Sequence, residues 1–200
     1  MKKGFWIIVA AFAFSSCASV SNEEVGFRKA NIPSDAGAPI VVQFTGDNLT
    51  APHLRAFEQR AIEKLQDFSD YLRIISDRSY SEEFRSAAIL QAQDMFIDHS
   101  QIRLIEEKEP AKVNRFLMET ARDTSAQYHV FRNIAVKDSL RYESEILYEG
   151  SLVFQYGVAE QGDTIWNERD RIAEFYLMKT QKNFGSLEKM IWEVFLGNIY

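Results

Sequence analysis

The chain has one cysteine, four prolines, nine glycines and three histidines in 200 residues. A lone thiol excludes a disulfide framework and a cysteine-rich zinc module. So little proline and glycine excludes collagen-like and low-complexity architectures. Lys and Arg number 23 against 29 Asp and Glu, giving a net charge of -6 and a pI near 5.2. No basic excess is left over to build a nucleic-acid surface. The surroundings of Gly162 and Gly185 lack the glycine spacing and the lysine of a phosphate loop. There is no serine nucleophile elbow and no HExxH zinc helix. The sequence therefore predicts no metal and no cofactor.

Apolar residues make up 46% and charged residues 26% of the chain, an ordinary globular balance. The one sustained apolar run stands at the N-terminus. Lys2 and Lys3 precede Phe5 to Phe14, and Ser15-Ser16-Cys17 follow. A positive start, a short apolar stretch and small residues make a secretory leader, too short for a permanent spanning helix. The only cysteine occupies the cut site. Ser15, Ser16 and Cys17 resemble the lipobox of bacterial lipoproteins, with Phe14 in place of the usual leucine. That resemblance implies acylation of Cys17, loss of residues 1–16 and anchoring in a bacterial cell envelope, at the outer membrane. Several acyl chains hold durably, since each buried methylene contributes roughly 0.8 kcal/mol. Loss of Lys2 and Lys3 makes the mature chain still more acidic, so the anchor and not the net charge must hold it.

Residues 17–39 read as the lipidated cysteine and a tether. Ser19, Ser21, Asn22, Gly26, Pro33, Ser34, Asp35, Gly37 and Pro39 show no helical or strand period. Such a stretch reaches on the order of 25 Å. One domain is expected over 40–200. Ile40 to Phe44 reads as a short strand, and Thr45 to Asn48 as a turn. Leu54, Phe57, Ala61, Leu65, Phe68, Leu72 and Ile75 recur every three or four residues and predict a long helix over 51–76, capped by Thr50. Ser79 with Glu82 resembles a capping box and predicts a second helix to about 97, with Phe84, Ala87, Ala88, Ala92, Met95 and Phe96 on its apolar side. Ile102 to Ile105 reads as a short strand. Pro110 stands near the start of a third helix carrying Val113, Phe116, Leu117 and Ala121.

Strands follow, over 128–136, 147–158, 165–178 and 190–199, separated by turn residues at Gln161-Gly162-Asp163 and Asn183-Phe184-Gly185-Ser186. Helices first and an antiparallel meander afterwards make an α+β fold, about three helices on a bent sheet. This order, with the ending Ile191-Trp192-Glu193-Val194-Phe195-Leu196-Gly197, resembles the nuclear-transport-factor-like fold, the cone shared with ketosteroid isomerases and scytalone dehydratases. The resemblance implies a pocket between helices and sheet, and dimerisation through the sheet face. In the resembling dehydratases and isomerases a histidine and a carboxylate perform acid–base chemistry. The candidates here are His129 or His99 with Glu174, Asp170 or Glu193. His99, after Asp98, could instead serve the C-terminal dipole of the second helix.

A second set of candidates lies in the polar run Asn167 to Arg171. Arg169 and Arg171 could grip a partner's carboxylates, with Trp166 beside them. The same run also reads as a hairpin standing in water with its charges paired. Two functions thus stand side by side. One is non-catalytic binding of an envelope protein partner or a small apolar ligand; the other is isomerase- or dehydratase-type catalysis. A structural envelope component is a third. The anchor is open to direct test: Cys17→Ala is expected to move the protein from the membrane to the soluble fraction, and retention in the membrane would refute the lipidation of Cys17.

Overall fold

A computed structural model describes residues 49–105, 108–125, 127–160, 163–185 and 187–200. The leader, Cys17, the tether over 17–39, the strand at 40–44, the turn at 45–48 and part of the two later turns lie outside the described residues. Helix α1 spans Ala51–Ser76. Thr50 precedes it, and its backbone N–H donates to His53 Nδ1 at 3.3 Å. Pro52 sits in the first turn, where its missing N–H costs nothing. The predicted stripe is the buried one: Ala61, Leu65, Phe68, Leu72 and Ile75 are fully covered, with Leu54 and Phe57 partly covered. Arg60 pairs with Glu63 at 2.8 Å on the solvent side.

Helix α2 spans Glu82–Gln93, shorter at both ends than the sequence predicts. Ser81, not Ser79, is its cap and accepts from the Phe84 N–H at 3.2 Å. The Ser79 N–H donates to Asp77 Oδ1 at 2.8 Å, a local turn that holds Ser79 outside the helix. Phe84 and Ala87 are not part of the core, whereas Ala88 and Ala92 are buried. Met95 and Phe96 are buried beyond the helix end, where the chain pairs with Leu196.

Strands β1 (Gln101–Ile102) and β2 (Ala111–Lys112) are two-residue pieces, and helix α3 spans Val113–Arg122. Four long strands follow: β3 (Gln127–Ser144), β4 (Leu147–Glu160), β5 (Asp163–Phe184) and β6 (Leu187–Ile199). The sheet order is β2-β1-β6-β5-β4-β3, antiparallel throughout except where β1 meets β6 in parallel at Ile102 and Ile199. Three helices packed on this sheet give the expected α+β fold. The strands are longer than predicted, because tertiary pairing carries β3 and β5 through polar residues that lack a hydrophobic alternation.

Alternation fixes which side chains meet the helices. Leu152, Phe154 and Tyr156 of β4, and Ala173, Phe175 and Leu177 of β5, enter the core with Val194 and Leu196 of β6. Phe68 of α1 meets Phe96 edge-on, with ring centroids 4.9 Å apart, and Phe131 packs on Phe154 at 4.6 Å. Gly150 is required by this packing. A Cβ there would come within 2.6 Å of the Phe175 ring and 2.9 Å of the Asp138 carbonyl. Register irregularities interrupt the β3–β4, β4–β5 and β5–β6 ladders, and two of them stand out. One follows Arg132, where Asn133 takes φ 53°. The other places Asn167 to Arg169 as extra residues opposite the single Tyr156, between the pairs Gly157–Trp166 and Gln155–Asp170.

Polar groups tie the two layers together. The Phe131 N–H on edge strand β3 donates to Ser69 Oγ at 3.1 Å, and the Leu140 N–H donates to Glu58 Oε1 at 3.0 Å. Helix α1 thereby satisfies part of an edge that would otherwise invite pairing. At the other end of α1 the C-termini of two helices converge on Arg85. Its Nε donates to the Ile75 carbonyl at 2.8 Å and its Nη2 to the Ala121 carbonyl at 2.6 Å. Arg78 donates to the Arg122 and Asp123 carbonyls, both at 3.3 Å. A guanidinium at two negative helix ends satisfies terminal carbonyls and the dipoles together.

Arg85→Ala strands two carbonyls in a half-buried place. It is expected to lower unfolding free energy by about 2–4 kcal/mol, at two charge-assisted bonds of roughly 1.5–3 kcal/mol each with partial rehydration. The urea midpoint at constant slope measures this. Arg85→Lys is expected to restore less than half, since an ammonium has no fork to span both carbonyls. A midpoint unchanged in Arg85→Ala would show that the arginine does not join the helices.

Candidate functional site

A cavity of about 220 Å³ lies between α3, the segment after β1, the first residues of β3 and the last part of β4. His129 and Tyr156 form its polar centre. His129 stands on β3, and Tyr156 is on β4 opposite Phe131, so the two side chains are diagonal neighbours on one face. His129 Nδ1 and Tyr156 Oη are 2.9 Å apart, one hydrogen bond whose direction follows the imidazole tautomer. The His129 ring lies between Phe116 of α3, with centroids 5.5 Å apart, and Tyr156, at 5.6 Å. Phe116, Thr120, Ile102, Leu104 and Val158 complete the inner wall, and Lys108, Glu119 and Asp123 bring charge to the lining.

The electrostatics follow from this enclosure. Burial pulls the His129 imidazole down from its ordinary 6.5 to about 4; Lys108 adds to the shift and Asp123 opposes it. Burial pushes the Tyr156 phenol up to about 12, with Arg171 opposing. At neutral pH the site holds an uncharged imidazole bonded to an uncharged phenol. The Asp123 carboxyl is held below the usual range, chiefly by the backbone N–H of Ser125, which donates to Oδ1 at 2.8 Å. The site can therefore offer hydrogen-bond donors and acceptors to a neutral polar atom, and an unprotonated imidazole nitrogen as a base.

The other sequence candidates do not join His129. His99 is exposed in a turn with φ 68°, six residues past the end of α2. It serves no helix dipole; histidine is among the residues that tolerate this left-handed backbone. Glu174 alternates with the buried Ala173 and Phe175 and so points away from the helices. Its Oε2 accepts from Asn198 Nδ2 at 2.8 Å and Tyr176 Oη at 3.1 Å. Burial, and next the Glu174 charge, hold the Tyr176 phenol well above its usual range. Glu193 accepts from Thr180 Oγ1 at 3.3 Å and faces Lys182 Nζ at 2.8 Å. It also draws on Lys64, whose ammonium is lowered by burial first and steadied by Glu193. Asp170 is exposed at the end of the bulge. None of these three carboxylates lines the cavity.

Arg169 and Arg171 do not form one patch. Arg169 is exposed within the bulge, its N–H donating to Asn167 Oδ1 at 2.9 Å. Arg171 is 4% exposed, and its Nε donates to the Leu104 carbonyl at 3.0 Å. It fastens a wall of the cavity and presents no surface to a partner. Trp166 is half-buried, with the Arg132 guanidinium 3.8 Å above its ring. Sequence reasoning missed Thr120 and Asp123 as lining residues and Arg171 as a buried clamp. The helical spacing Phe116, Thr120, Asp123 could have shown the first two; nothing in the charged run distinguishes Arg171. Among the described residues no three His, Cys, Asp or Glu side chains converge to hold a metal ion.

No family model matches the chain, and no curated protein matches it. Among solved structures it is similar to a Novosphingobium aromaticivorans DSM 12444 protein that carries the name scytalone dehydratase as a provisional assignment. The identity is 14% and the TM-score 0.37, covering 74% of this chain and 85% of that one. It is similar to a Catenulispora acidiphila protein in complex with S-DNPA, at 10% identity and a TM-score of 0.40 over 73% of this chain and 90% of that one. Aln2 from a Streptomyces species aligns at 10% identity and a TM-score of 0.40, over 75% of this chain and 94% of that one. Likeness at this level transfers no activity to this chain.

His129 is expected to titrate near pH 4 in the folded protein, followed by the imidazole resonances in NMR. Its folded pKa lies below its unfolded one, so the unfolded chain binds the extra proton between them. This group's contribution is therefore lost as pH falls from about 6.5 towards 4, by up to roughly 3 kcal/mol. His129→Gln should remove that share of the acid sensitivity. A titration near the ordinary 6.5 would show the ring to be solvated.

Proposed function

We propose that this chain is a lipid-anchored protein of a bacterial cell envelope that binds one small, largely apolar molecule between α3 and the sheet. The observation that carries the ligand reading is the uncharged His129–Tyr156 pair beside the Phe116 ring in the cavity. Apolar walls with a few convergent polar groups are the usual form of a ligand site. A volume of 220 Å³ is below the roughly 300–1,000 Å³ of sites for drug-sized molecules, so the occupant is a single ring or a short branched chain. It carries a carbonyl or hydroxyl for His129 and Tyr156.

A second reading is proton transfer at a carbon or hydroxyl of that ligand, with His129 as the base. The unprotonated imidazole in the cavity favours it. The carboxylate in such a scheme is Asp123, which shares the cavity, in place of the three that the sequence suggested.

Titrating the protein with a panel of monocyclic phenols and ketones, read on the ¹⁵N resonances of His129, tests the binding reading. At least one compound is expected to shift His129 saturably. Tyr156→Phe should weaken it about tenfold, the worth of one hydrogen bond. Phe116→Trp should abolish binding by filling the cavity. A panel that leaves His129 unmoved, or binding that survives Phe116→Trp, would overturn the site. Deuterium uptake from D₂O beside the carbonyl of a bound ketone, lost in His129→Gln, would move the assignment to catalysis.

A further inference from the structure

The end of the sheet remote from the cavity carries a surface that the ligand site does not use. Strand β4 begins at Leu147, opposite Met178, so β5 beyond Met178 and β6 before Glu193 run on as a two-stranded ribbon. Six residues of strand give it a length of about 20 Å. Gly185 at φ 66° turns its tip. Phe184 is 55% exposed, Leu187 60% and Met190 52%. At its base stands the β3–β4 turn, where the Lys179 N–H donates to the Ile146 carbonyl at 3.0 Å and Ile146 and Tyr142 are themselves exposed.

Three observations select what this tip meets. First, its apolar residues lie on both faces. Phe184 and Leu187 are cross-strand partners on one side, and Met190, opposite Gln181, points to the other. A flat protein surface covers one face of a ribbon, whereas a bilayer surrounds both. Second, Lys182 and Lys189 are directly opposite each other behind Phe184 and Leu187. Lys182 is already balanced by Glu193 at 2.8 Å, so Lys189 is the charge that anionic headgroups would meet. Lysine stems also let the charge reach the headgroups while the apolar tip goes deeper. Third, the chain enters α1 at this same end. Glu58 meets Leu140 and the later Ser69 meets the earlier Phe131, so α1 runs antiparallel to β3 and its start lies beside the β3–β4 turn.

We infer that the β5–β6 ribbon is a membrane-docking element, with Phe184, Leu187 and Met190 entering an anionic bilayer and Lys189 at its headgroups. The third observation bears on a membrane through the proposed lipid at Cys17, so the inference rests in part on that reading. The chain N-terminal to α1 joins the domain at this end, so an acylated Cys17 would keep the ribbon within reach of the bilayer. The cavity, lined at the opposite end by Gln127, His129 and Val158, then opens towards the aqueous compartment.

Full-length protein purified from the membrane fraction and placed in phosphatidylethanolamine–phosphatidylglycerol vesicles provides the test. Leu187→Cys is labelled with a nitroxide, and Glu168→Cys at the far end serves as the control. Collisions of the Leu187 label with a water-soluble nickel chelate are expected to fall at least threefold on the vesicles and those with oxygen to rise, with the Glu168 label unchanged. A Leu187 label as open to nickel as the control would overturn the inference. So would equal protection without vesicles, which would assign the ribbon to a second copy or another protein.

The anchor is read separately, as free thiols in the unsubstituted chain. None means that Cys17 is acylated; one means that the anchor reading fails. In the latter case flotation of the unanchored chain with the same vesicles decides the ribbon. Flotation lost in the double variant Phe184→Asp, Leu187→Asp would uphold it, and no flotation of the parent would overturn it.

Discussion

The fold depends on one line of contact, the apolar stripe of α1 laid along the sheet. Ala61, Leu65, Phe68, Leu72 and Ile75 lose all contact with water there. Burying each large side chain contributes roughly 1.5–3 kcal/mol relative to exposure. The same helix satisfies β3 N–H groups through Ser69 and Glu58, so a single element supplies both the core and part of the edge cover. Without it, the inward faces of β4 and β5 would stand in water and β3 would be an open edge. The placing of α2 and α3 follows, since Arg85 ties the last turns of α1 and α3 from its position on α2.

The cavity lies beside irregular stretches of the sheet. The extra residues Asn167 to Arg169 opposite Tyr156, and the irregularity at Asn133, bend β3, β4 and β5 next to the site. A bulge re-aims neighbouring side chains and increases twist. Beside these irregularities the Phe116 ring of α3 packs on His129, with centroids 5.5 Å apart. Arg171, just past the bulge, turns inward and fastens Leu104. The charged run is thus architectural at one end and solvated at the other.

The two ends of the sheet are chemically distinct. One holds an uncharged imidazole and phenol behind an aromatic ring. The other exposes apolar side chains above paired lysines. In the proposed arrangement the apolar end faces lipid and the cavity faces water, so a bound molecule is taken from the aqueous side. Helix crossing plays no part in this scheme for the described residues, none of whose helices is long and apolar enough to span a membrane.

Residue spacing by itself determined the extent of α1, its buried stripe and the α+β order, because hydrophobic period reports directly which face must leave water. It also marked His129 as a candidate. Only the tertiary structure decided which polar groups meet. His129 and Tyr156 are 27 positions apart in the chain and were joined by the register of β3 on β4, a relation that no local pattern encodes. Glu174 and Glu193 were separated from His129 by the same strand geometry, which alternates faces at every residue. Arg169 and Arg171 would share a face in an unbroken strand; Arg169 lies within the bulge and stays exposed, while Arg171, just past it, enters the core. Burial then gave His129 its neutral state, since a proton's cost depends on what surrounds the ring and not on the residues beside it in sequence.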